Sequence, residues 1–103
     1  MFRHRYRFVL LYGQAGGVVD VARQLRKLEE EHGWAISRFW NPLFGTLNEF
    51  FLEAEYTDEE SFRLERDARE ADRRSAALWQ EIYRHVVPSS FSIELLDELD
   101  LAS

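Results

Sequence analysis

Positions 2, 4, 6, 8, 10 and 12 of the chain are Phe, His, Tyr, Phe, Leu and Tyr, whereas 3, 5 and 7 are all Arg and are followed by Val9 and Leu11. A period of two over this length predicts a strand from Phe2 to Tyr12, with one apolar face and one that begins basic and turns apolar. Gly13 to Gly17 interrupts it. Val18, Val21, Ala22, Leu25 and Leu28 then recur at helical spacing, and His32-Gly33 supplies the stop. A second strand is expected over Ala35 to Trp40, ended by Asn41-Pro42. In the third, 46–56, the even positions are Thr, Asn, Phe, Leu, Ala and Tyr and the odd ones Leu, Glu, Phe, Glu and Glu. Thr57-Asp58-Glu59-Glu60 has the form of a capping box with Thr57 as N-cap. It opens a helix expected to run from Asp58 to Val87, with a break near Ala71 to Arg74 and Leu78, Trp79, Ile82, Tyr83 and Val86 on its late apolar face. Phe91, Ile93 and Leu95 alternate with Ser92 and Glu94 as a fourth strand.

This order predicts an α+β fold in one domain spanning residues 1–103. It is a ferredoxin-like βαββαβ sandwich, a four-stranded antiparallel sheet with two helices on one face. The helices should cover Tyr6, Phe8, Leu10, Phe50, Leu52 and Ala54. The other face then sets Arg5, Arg7, Val9 and Leu11 beside Leu47, Glu49, Phe51, Glu53 and Glu55. Exposed Arg–Glu pairs across strands contribute about 0.2–1 kcal/mol each. Phe51, Val9, Leu11 and Leu47 among them are less readily left in water. A subunit interface with a partly polar interior accounts for both; the alternative is a solvated charged face.

Composition narrows the function classes. Apolar residues make up 46% and charged ones 31%, ordinary for a folded soluble domain. The 15% aromatic share points to a cavity, an interface or a dense core. A net charge of −6 without a Lys-rich stripe argues against nucleic acid as a partner. No cysteine is present, which removes disulfides, thiolate metal sites and cysteine nucleophiles together. No apolar run approaches the roughly 20 residues that span a bilayer. The run Phe8 to Tyr12 behind the basic start is too short for a signal peptide, so a cytoplasmic location is expected. No histidine or carboxylate pair has convincing metal-ligand spacing, and Gly13 to Gly17 lacks a phosphate-loop spacing. Neither a metal nor a cofactor is therefore expected.

Candidate chemistry rests on a few side chains. Tyr6, Arg38, Trp40, Asn48, Trp79 and Tyr83 are the expected surroundings of a pocket. Its aromatics would hold a flat apolar ligand while Arg38, Asn48 or a tyrosine hydroxyl fixes a polar end. Arg38 bears on this only if it shares the helix-facing side with Trp40. Trp79 and Tyr83 also suit a plain core. His4 is either a base beside Tyr6 or the solvated end of a strand. Tyr6, His4 and Arg38 are the acid–base candidates. His32 reads as a cation at a helix C-terminus.

Gly45-Thr46-Leu47-Asn48-Glu49-Phe50-Phe51-Leu52-Glu53-Ala54-Glu55-Tyr56, then Glu59 and Glu60, then a charged helix leading to Trp79, resembles the NIPSNAP-type branch of the dimeric α+β barrel superfamily. The likeness covers about residues 40–88; the stretch before the glycine, Trp40-Asn41-Pro42-Leu43-Phe44, departs from that branch's usual one. The resemblance implies a homodimer whose sheets close face to face into a barrel, with pockets between sheet and helices. It also implies a range of roles, including cofactor-independent monooxygenases, small-molecule isomerases, haem-binding enzymes and members without assigned activity. His85 is a ligand-binding candidate on this basis, since haem ligands can occur late in that helix in related folds; the stretch from Trp79 does not reproduce the haem-degrading pattern. Two functions follow: a protein that binds or transforms a small apolar or aromatic molecule without metal or nucleotide, or a non-catalytic homodimeric module. An open pocket between sheet and second helix separates them.

Overall fold

In a computed structural model that describes residues 1–43, 45 and 48–102, the chain runs β1 (Phe2–Val9), α1 (Ala15–His32), β2 (Arg38–Trp40), β3 (Glu49–Tyr56), α2 (Glu59–Ala71), α3 (Arg73–Arg84) and β4 (Ser92–Asp97). The strands form one antiparallel sheet in the order β2-β3-β1-β4. This is the expected ferredoxin-like arrangement, with β1 and β3 central. Its helical layer contains three helices rather than two.

The break is at Asp72. Its backbone is extended (φ −88°, ψ 120°), and its carboxylate accepts a hydrogen bond from Ser75 N at 3.0 Å. Asp72 thus ends α2 and caps α3. The start of α2 also differs from expectation, because Asp58 is the N-cap, accepting from Ser61 N at 2.8 Å, and Thr57 lies outside the helix. An aspartate one residue later offers the same cap with a charge suited to the helix dipole.

Two strands are shorter than their alternation predicts, and hydrogen bonding explains both. Past Val9 the backbone is claimed by the end of α3: Leu10 bridges Val86, Val87 N donates to Val9 O, and Leu11 N donates to His85 O, the last two at 2.8 Å. Leu11 and Tyr12 are exposed. Before β2, Ala35 N donates to Glu65 Oε1 at 2.7 Å and Ser37 N to Glu29 Oε1 at 2.9 Å. Helix side chains take the place of a neighbouring strand there. β3 begins at Glu49, and the expected strand residues Thr46 and Leu47, like Phe44 of the preceding loop, lie outside the described residues.

Phe8, Leu10, Val18, Val21, Leu25, Leu52, Ile82 and Val86 form the main core. They come from the inner faces of β1 and β3, from the α1 stripe and from α3 and the segment after it. α1 ends as expected at Gly33, whose φ of 68° suits a residue without a side chain. Ala54, Tyr56 and Phe62 make a second, smaller cluster that anchors α2.

The outer face of the sheet carries the expected charge ladder. Arg3, Arg5 and Val9 pair in register with Glu55, Glu53 and Glu49, and Arg7 with Phe51. Arg5 Nε lies 2.8 Å from Glu53 Oε1 and its Nη1 3.4 Å from Glu94 Oε2. Among the described residues, no helix is long and apolar enough to cross a membrane.

Candidate ligand cleft between the sheet and the broken helix

The break at Asp72 turns α2 and α3 away from a common axis, so they roof the sheet as two panels. Between them and the strands lies an open cleft of about 300 Å³. Its floor is formed by the inner face of β1 and β3, including His4, Tyr6 and Ala54; α2 contributes Phe62 and Arg66, and α3 contributes Ala76, Trp79 and Tyr83. The alternation of β1 sets His4 and Tyr6 side by side on this face, two residues apart. Their rings meet edge to face at 4.4 Å. His4 also contacts Phe62 at 4.9 Å, and Tyr6 contacts Trp79 at 4.6 Å.

Burial sets the protonation of both floor groups. His4 is lowered to about 4, by desolvation first and then by the nearby cations Arg69 and Arg66. Tyr6 is raised to about 12, again by desolvation first, with the neighbouring Tyr83 adding to it. At neutral pH the cleft therefore presents an uncharged imidazole, with both a donor and an acceptor nitrogen, beside a protonated phenol. This pair can hydrogen-bond a carbonyl or hydroxyl on a flat ligand.

One end of α2 is held by buried ions. Glu29 on α1 is fully buried, and Arg69 Nη1 lies 2.7 Å from its Oε2. Arg69 also bonds Glu65 and the carbonyl of Ala35, the latter at 2.8 Å, and its guanidinium sits 5.1 Å from the centre of the Trp34 ring. Ser37 Oγ donates to Glu29 Oε2 at 2.5 Å. Burial alone would lower the Arg69 pKa; the bond to Glu29 and the charges of Glu29 and Glu65 outweigh it and hold the pKa above its ordinary value. Desolvation, then the Glu65 carboxylate, pushes the Tyr56 phenol well up. The sequence reading missed this cluster. Its available signal was the spacing of Phe62, Glu65 and Arg69, which share a helix face.

The expected site residues divide. His4, Tyr6, Trp79 and Tyr83 meet in the cleft. Arg38 and Trp40 do not: they pair in register with Glu53 and Phe51, on the outer face of the sheet. A strand of only three residues with its register set by β3 puts Phe39, between them, on the inner face. Asn48 is in a left-handed turn (φ 61°) before β3, where its carbonyl accepts from Leu10 N at 2.8 Å. His85 lies at the opposite end of the helical layer, its Nδ1 2.7 Å from Gln14 Oε1 and its ring packed on Gly17, where an added Cβ would come within 3.1 Å. It ties the end of α3 to the start of α1. His32 caps the end of α1 as expected, Nδ1 3.1 Å from Leu28 O and Nε2 3.2 Å from Asp72 Oδ2. Among the described residues, no group of three or more His, Asp or Glu is placed to hold a metal ion.

No family model matches the sequence, and no curated protein matches it. Solved structures do match its shape. An uncharacterized NIPSNAP domain protein from Burkholderia xenovorans superposes with a TM-score of 0.77 at 18% identity, over 100% of this chain and 99% of that one. A NIPSNAP family protein from Agrobacterium tumefaciens gives 0.77 at 14% identity, over 97% and 94%. An antibiotic biosynthesis monooxygenase gives 0.74 at 13%, over 97% and 100%. At such identities the likeness is one of backbone, spanning nearly the whole of each chain. The chain thus has the ferredoxin-like α+β fold that NIPSNAP domain proteins share with antibiotic biosynthesis monooxygenases, as the stretch from Gly45 to Tyr56 implied.

Proposed function

We propose that the protein binds a small, flat, apolar molecule in the cleft between the sheet and α2–α3, and acts on it without metal or nucleotide. The observation that carries this reading is the open space itself. A module whose aromatics served only to build core would have it filled, whereas Trp79 and Tyr83 border a cleft of about 300 Å³. That volume is at the lower end of small-molecule sites, roughly 300–1,000 Å³. The Tyr6 hydroxyl supplies a donor to a ligand oxygen, and the neutral His4 supplies an acceptor for a ligand proton. We take the role of such a pair to be oxygenase-like or isomerase-like; a monooxygenase shares the fold. Ala76 lines the cleft from α3, so an Ala76→Trp variant would fill it without adding charge. Titrating 2-naphthol into both proteins, with the Trp79 indole N–H followed by NMR, tests the reading. Binding to the native chain and its loss in the variant are expected; equal binding to both would overturn it.

The outer sheet face supports a homodimer. Trp40 is about half exposed there, at 48%, among the partly buried Val9 and Phe51 and the Arg–Glu ladder. A second copy would remove this apolar surface from water while the charges stay paired across the strands. Light scattering is expected to give twice the 12.3 kDa chain mass.

A further inference from the structure

The cleft has two unlike ends. Toward α3 it is aromatic, with Trp79 and Tyr83 5.9 Å apart between ring centres. Toward α2 it is charged, with Arg66, Arg69 and Glu70 in its lining. The two cations there differ in their commitments. Arg69 is spent on Glu29, Glu65 and the Ala35 carbonyl. Among the described residues, Arg66 has one ion pair, 3.6 Å to its chain neighbour Asp67, and both side chains are largely open to water. Such a pair holds the guanidinium weakly. Its position is nevertheless set, because it lies 5.7 Å from the centre of the Phe62 ring, and Phe62 in turn touches His4. Arg66, Phe62, His4, Tyr6 and Trp79 follow one another along the cleft.

We infer that the cleft takes an aromatic carboxylate in one orientation, its rings against Tyr6, Trp79 and Tyr83 and its anionic group at Arg66. This rests on the binding reading above and adds the ligand's charge and direction. A guanidinium presents a planar fork of donors that matches a carboxylate, and its weak bond to Asp67 is readily exchanged for a ligand's. His4, next along the floor, is lowered first by desolvation and then by these same cations, in keeping with a positive field at this end of the cleft. Glu70, one helical turn on from Arg66 toward α3 and also in the lining, would repel the same group from the aromatic end, which keeps it at Arg66.

Three probes of one shape test this: 2-naphthoate, 2-naphthamide and 2-naphthylmethylammonium. Each is titrated while the Trp79 indole N–H is followed by NMR, with Trp34 and Trp40 as internal references. The native chain is expected to bind the carboxylate roughly tenfold more tightly than the amide at low salt, the scale of one charge-assisted hydrogen bond near water. Arg66→Gln is expected to remove that preference, with its amide spectrum confirming the fold. Equal affinities, a preference for the ammonium, or a preference that survives in Arg66→Gln would overturn the inference and leave the binding reading standing. No response at Trp79 to any probe would overturn both.

Discussion

Glu29 and Arg69 meet in the interior 2.7 Å apart, the carboxylate with no exposure at all and the guanidinium side chain at 14%. They lie 40 residues apart in the chain and join α1 to α2 across the segment that precedes β2. A buried pair of this kind is costly to break from one side, since the remaining charge has no water to turn to. Arg69→Leu is expected to lower unfolding free energy by about 3–5 kcal/mol. The double variant Glu29→Leu/Arg69→Leu should recover a substantial part of that. Urea denaturation of the three proteins checks it, and a double variant no more stable than the single one would show that the pair is not coupled.

His4 makes stability depend on pH. Its folded pKa of about 4 is below its ordinary 6.5, so between these values the unfolded chain binds a proton that the folded chain refuses. The stability tied to neutral His4 is complete above about 6.5 and is lost as pH falls toward 4. Water reaches part of the ring, which brings the loss to on the order of 1 kcal/mol. Comparing native and His4→Asn unfolding from pH 7 to pH 4 should show a smaller decline in the variant. Parallel curves would rule out the proposed burial of the imidazole.

Tyr6→Phe should leave the fold intact, because the ring keeps its contacts with His4, Trp79 and Phe91. Loss of one hydrogen-bond donor, worth about 0.5–1.5 kcal/mol, should weaken binding of an aromatic ketone several-fold. A hydrocarbon of the same shape should be affected little. Calorimetric titration with the two ligands separates these outcomes, and an equal effect on both would assign Tyr6 to packing alone.

The fold was legible in its periodicities, the site only in part. Alternation in β1 and β3 put the right residues on each face, and the α1 stripe from Val18 to Leu28 is the observed core stripe. Strand ends were not legible, because helix side chains satisfy the backbone there, Glu29 of α1 that of Ser37 and Glu65, 30 residues on, that of Ala35. Arg38 and Trp40 were misplaced for a related reason. With only Arg38–Trp40 in the ladder, the face depends on register against β3, which a short strand cannot announce by its own pattern. His4 and Tyr6 were readable as neighbours, but His4's burial depends on Phe62, which arrives from α2.

The two aspartate caps should differ in weight. Asp58→Ala removes one bond to Ser61 N and should cost about 1 kcal/mol. Asp72→Ala removes the bond to Ser75 N together with the contact to His32, and should cost more. Thermal unfolding of both variants decides the order.

On the outer sheet face, Arg5 stands between Glu53 and Glu94. Arg5→Glu would place three carboxylates together and is expected to convert the proposed dimer to monomer in light scattering. A variant that kept the dimer mass would show that this face is not the contact.

The interruption at Asp72 has a consequence for how this protein can vary. α3 is pinned to the main core through Ile82, and the segment after it through Val86, while α2 hangs on Phe62 and the Glu29–Arg69 pair. Each panel of the roof has its own foundation. Substitutions along α2 can therefore reshape one wall of the cleft while the hydrophobic centre stays unaltered, so the shape of this opening can drift without first surrendering the scaffold.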